Sequence, residues 1–72
     1  KGVPRDYAKA RAWFEKGARK GLPAAQVQLG TLYAEGKGGQ KDVAAALAWF
    51  DEACRPGNEE GCEHFKRLRP SR

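Results

Sequence analysis

Cys54, Cys62 and His64 are the residues of this sequence whose types suit redox, metal or nucleophilic chemistry. Two thiols eight positions apart can close a disulfide or persist as buried thiols. A structural zinc site takes four ligands, and this set offers three. A catalytic cysteine needs a histidine within hydrogen-bond reach. Cys62 and His64 stand two apart and do not face each other on a helix. A serine nucleophile fares no better: Ser71 is the single serine, with no Ser-x-x-Lys run and no general-base pair beside it. Gly36-Lys37-Gly38-Gly39 follows a helix pattern and lacks the Gly-Lys-Ser/Thr ending, so it reads as a turn and not as a phosphate loop. These residues assign no catalytic group, no metal and no cofactor.

Binding chemistry has more to work with. Trp13-Phe14 and Trp49-Phe50 could stack bases or cage a cation. At helical spacing beside alanine-rich stripes they read instead as core anchors. The better candidate is the face opposite those stripes. Gln28, Thr31 and Glu35 line up at spacings of three and four. His64 and Arg67 continue the row in the second half of the chain. These five residues are the predicted partner-binding set.

The elements that must position them come from a repeat. Asp6 to Gly21 returns as Asp42 to Gly57, shifted by 36 residues, with Asp, three Ala, Trp, Phe, Arg and Gly kept in place. A fixed period of this length marks an array built from one supersecondary unit. Asp6 and Asp42 suit helix N-caps, Pro23 suits a first helical position, and Asn58 suits a further cap. Gly21 and Pro56-Gly57 stop the odd helices. Residues 1–5 read as a loop, Lys37 to Lys41 as a flexible one, and Pro70 as the last stop. The expected helices are about 6–20, 23–35, 42–55 and 59–69. Short connections favour antiparallel neighbours. The fold class is therefore all-α, an α/α solenoid of two stacked antiparallel hairpins, forming one domain over residues 1–72.

Seventy-two residues bury only about 60% of their chain surface, which leaves a marginal core. Arrays of this kind gain stability from about three repeats upward, so two copies point to a fragment, a stapled unit or a domain completed by further repeats or a partner chain. The net charge is +5, with the excess in the first half. That leaves nucleic-acid binding through the basic first half as an alternative. The cations are interleaved with acids, however, as on a solvated helix face, so nucleic acid is not the expected partner. No apolar run approaches the roughly 20 residues of a membrane span. Residues 1–5 lack the apolar core of a signal peptide, and the chain reads as starting inside a loop.

The quoted blocks resemble the Sel1-like repeat family, relatives of the tetratricopeptide repeats. The carriers run from Gly2-Val3-Pro4-Arg5-Asp6-Tyr7-Ala8-Lys9-Ala10 through Ala12-Trp13-Phe14-Glu15-Lys16-Gly17-Ala18 to Leu29-Gly30-Thr31-Leu32-Tyr33-Ala34-Glu35-Gly36. There are two departures. Gly39-Gln40 replaces the usual Val-Pro-like pair, and Lys66-Arg67 stands where Gly30-Thr31 does in the first copy. The resemblance implies a non-enzymatic adaptor for a partner protein, of the kind that in bacteria is often exported and serves as a regulator or toxin-neutralising protein. The Cys54–Cys62 spacing is similar to that of the cysteine-rich secreted branch, where such a pair is bridged. That implies a disulfide here and a periplasmic or secreted location. It also keeps weak β-lactam hydrolysis or β-lactam binding as an alternative.

Overall fold

The computed structural model describes residues 6–69. The loop read over residues 1–5 and the stop read at Pro70 lie outside them. The described chain forms α1 (Tyr7–Arg19), α2 (Pro23–Glu35), α3 (Val43–Cys54) and α4 (Glu59–Leu68). Three starts are capped by side chains that satisfy first-turn amides otherwise left without partners. Asp6 accepts from the Lys9 amide at 3.0 Å, Asp42 from Ala45 at 3.0 Å and Asn58 from Gly61 at 2.7 Å. α2 has no side-chain cap, but Pro23 stands where no donor is needed.

The two hairpin bends are built alike. At the first, Gly21 donates to the Ala18 carbonyl at 3.0 Å and Leu22 to Gly17 at 3.1 Å. At the second, Gly57 donates to Cys54 at 2.8 Å and Asn58 to Ala53 at 3.2 Å. Gly21 and Gly57 hold φ at +88° and +105°, a region closed to most side chains.

α1 packs on α2, α2 on α3 and α3 on α4, with a smaller contact from α2 to α4. This is a stack of two hairpins, an α/α solenoid in which α2 touches each of the other three helices. The core joins Val27 of α2 to Ala46, Phe50 and Ala53 of α3, and Leu29 and Leu32 of α2 are buried as well. Small residues set the helix spacing. An ideal Cβ on Gly30 would stand 2.6 Å from Phe50 Cε1, so the ring rests directly on the α2 backbone. Within the hairpins the same device appears with the partners exchanged. Gly17 of α1 faces Ala25 of α2, whereas Ala53 of α3 faces Gly61 of α4.

Trp13 corrects the sequence expectation. It is 73% exposed, not a core anchor. Its counterpart Trp49 is half-buried and lies beside Ala18, Gly21 and Gln26 at the first hairpin's bend. An indole in this register is covered by the hairpin ahead of it. Trp49 has one, and among the described residues Trp13 has none.

Candidate functional site

A groove of about 180 Å3 opens where α2, α3 and α4 meet. Thr31, Ala34 and Glu35 form one wall, His64, Arg67 and Leu68 the other, and Phe50 lies between. Repeat register explains the meeting. Thr31 and Arg67 occupy the same position in successive copies, and the α2–α4 contact brings the copies side by side.

Each polar group has a local arrangement. The Thr31 hydroxyl donates to the Val27 carbonyl at 3.0 Å, so its proton is committed to the helix. The His64 ring stacks on Phe50 with centroids 4.9 Å apart and planes 17° apart. Stacked rings at this offset hold the imidazole against the floor of the groove. The Glu35 carboxylate lies 3.2 Å from Lys37 Nζ. That hydrogen bond and its charge, with a smaller contribution from Tyr7, hold the Lys37 ammonium above the usual lysine range. Arg67 reaches Glu63 only at 3.7 Å, and its side chain is 78% exposed. Exposed pairs of this kind are weak and screened by solvent, so a partner can compete for either charge. The groove thus offers an apolar floor with an acid on one rim and a guanidinium on the other.

Of the five residues predicted for partner binding, Thr31, Glu35, His64 and Arg67 come together here. Gln28 does not. It lies with Trp13, Phe14 and Leu22 at the far end of the molecule. Sequence reasoning also passed over Phe50, Ala34 and Leu68 as groove residues, because apolar spacing marks a residue as inward and not as the floor of a cleft.

Arg11 was passed over as well, although it supports one wall. Its Nη2 donates to the carbonyls of Leu32, Lys37 and Gln40 at 3.3, 3.0 and 3.2 Å. Its guanidinium sits 4.2 Å from the Tyr33 ring centroid. The loop read as flexible from its glycines is in fact tied back to α1. The available signal was that Arg11 stands where the second copy has Leu47.

Cys54 and Cys62 are joined in a disulfide across the second bend, with Cα atoms 4.5 Å apart. Neither sulfur is then available as a thiolate to a metal or to His64. Such a bridge fits an oxidising compartment. Among the described residues no three His, Cys, Asp or Glu side chains gather as a metal site. No helix of the described residues is long and apolar enough to cross a membrane.

Comparison with known proteins agrees with this architecture. The Sel1 repeat model matches residues 1–22 and 23–58. A crystal structure of a Sel1 repeat protein from Oxalobacter formigenes is similar over 96% of this chain, with a TM-score of 0.86 and 40% sequence identity. The chain spans only 20% of that protein's length. A search of curated proteins returns no significant match. Repeats of this family mediate protein–protein interaction. Two matched segments, the shared fold and that identity together establish that this chain belongs to the Sel1 repeat family.

Proposed function

We propose that the chain is a non-enzymatic adaptor domain, spanning residues 1–72, that holds a segment of a partner protein in the α2–α4 groove. The observation that carries this reading is the convergence of Thr31 and Glu35 with His64 and Arg67 over the apolar floor of Phe50 and Leu68. An apolar centre with a polar, weakly paired rim is the usual anatomy of a protein-recognition patch. The partner's apolar side chain fills the floor, its cation meets Glu35 and its carboxylate meets Arg67. The Cys54–Cys62 bridge supports a working place outside the reducing cytoplasm, either periplasmic or secreted. A regulatory or toxin-neutralising role is consistent with such an adaptor.

The test is affinity capture from a periplasmic or secreted extract, followed by titration of the captured protein against variants. Arg67→Glu weakens binding by about 1–3 kcal/mol, or roughly five- to 150-fold in Kd. Lys9→Glu, on an exposed part of α1, leaves it unchanged. A partner that binds both variants as tightly as the parent chain rejects the groove.

A further inference from the structure

A second cavity, of about 380 Å3, lies between the first bend and α3. Ala18, Arg19 and Gln26 line it from the first hairpin, and Trp49 and Glu52 line it from α3. It shares no residue with the α2–α4 groove.

The Gln26 amide at this cavity is only half used. Gln26 is 5% exposed, the one buried polar residue among those described. Its Nε2 donates to the Ala18 carbonyl at 3.1 Å. Its Oε1 is buried and has no hydrogen-bond partner. Buried amide oxygens are nearly always paired, so an orphan of this kind calls for a donor. The second copy carries Cys62 at the matching position, with its sulfur engaged in the disulfide. The open acceptor therefore belongs to the first bend alone.

The other groups select the kind of donor. Trp49 lines the cavity with a half-buried aromatic ring. Glu52 is exposed and has no ion-pair partner among the described residues. Arg19 is the one cation lining the cavity, and its guanidinium is already met by Glu15 at 2.9 Å. An amide oxygen, a carboxylate and an aromatic face together attract a cation that carries N–H groups. A guanidinium suits them better than an ammonium. It is flat, so it lies on an indole while its forked N–H groups reach two acceptors.

We propose that this cavity receives an arginine side chain of a partner protein, stacked on Trp49 and donating to Gln26 Oε1 and to the Glu52 carboxylate. Solvent does not reach Oε1 in the free chain, so entry turns the half-buried indole aside and uncovers the oxygen. Trp49 is then both a wall of the site and its reporter. The site asks nothing of the α2–α4 groove, so this proposal and the adaptor reading can fail separately.

In the test, Trp13→Phe leaves Trp49 as the only tryptophan of the chain. Titration with N-acetyl-arginine amide shifts Trp49 emission to saturation and moves the Gln26 side-chain amide signals in the NMR spectrum. N-acetyl-citrulline amide, of similar shape but uncharged, does neither, and N-acetyl-lysine amide binds several-fold more weakly. Glu52→Gln weakens the arginine compound several-fold, whereas Glu60→Gln, on an exposed part of α4, leaves it unchanged. A blocked glycyl-arginyl-glycine peptide binds more tightly than methylguanidinium. Equal binding of those two assigns the site to a free guanidino compound and overturns the partner-protein source. The absence of any saturable change in emission or in the NMR spectrum overturns the proposal. So does binding that leaves the Gln26 signals in place, or that is as tight in Glu52→Gln as in the parent chain.

Discussion

The Gln26 side chain donates from Nε2 to the Ala18 carbonyl at 3.1 Å, at the two positions where the second hairpin carries Cys62 and Cys54. One copy thus fastens its bend by a buried hydrogen bond and the other by a covalent bond. The Cys62 sulfur also lies 3.6 Å from the Cys54 carbonyl, the counterpart of the Gln26 contact. Because the bends share their backbone hydrogen bonds, the geometry that accepts a disulfide at the second should accept one at the first. The double variant Ala18→Cys/Gln26→Cys is expected to oxidise spontaneously and to raise stability by about 2–3 kcal/mol on the chain-entropy model. Urea denaturation with and without reductant measures it. Reduction of the native bridge alone should lower stability by a similar amount. A double variant that stays reduced in air would show that the bends differ.

The exchanged glycines give a cleaner probe of packing. An ideal Cβ on Gly17 would stand 2.9 Å from the Ala25 Cβ. Gly17→Ala should therefore destabilise by about 1–2 kcal/mol, the overpacking cost exceeding the roughly 1 kcal/mol gained in helix propensity. Gly17→Ala/Ala25→Gly reproduces the order found at Ala53 and Gly61, and should recover at least about 1 kcal/mol of that loss. A double-mutant cycle by chemical denaturation checks the coupling, and additive effects would mean the helices separate freely at this point.

The two tryptophans should respond differently to truncation. Trp13→Ala, at an exposed site, is expected to change stability by no more than about 0.5 kcal/mol. Trp49→Ala removes a half-buried ring from the junction between hairpins and should cost about 1.5–3 kcal/mol. Equal losses in thermal or urea melts would contradict the exposures seen here.

Arg11 carries a prediction about residue type and not only charge. Arg11→Ala should cost about 1–2 kcal/mol through the loss of charge-assisted bonds to three carbonyls. Arg11→Lys should recover little of it, since an ammonium cannot lie flat on Tyr33 while serving the loop. Amide exchange at Lys37 to Lys41 should quicken in both variants. Full rescue by lysine would reduce the contact to simple charge attraction.

Much of this architecture was legible from local chemistry. Asp6, Asp42 and Asn58 are caps because a short polar side chain before an apolar stripe has first-turn amides to satisfy, and each one accepts such a bond here. Gly30 was readable as a point of close approach, and Phe50 is what approaches it. What the sequence withheld depends on which element comes to lie on which. The burial of Gln26 follows from its one carbonyl partner across the bend, which no helical period announces. Trp13 and Trp49 are identical in local context and differ only in whether a hairpin stands ahead of them. Gln28 shares its row with Thr31 by spacing, yet the wall completing the groove beside Thr31 comes from the following copy, and Gln28 lies one step too early to meet it.

The covalent clasp at one bend only has a consequence for how the molecule comes undone. Heat or denaturant should peel it from a single side, because α1 leans chiefly on α2 while α3 and α4 stay tethered. A partly unravelled chain keeps its last two helices in register as a seed. Recovery then begins from a preformed corner of the structure and proceeds backward along the chain, opposite to the order in which it was synthesised.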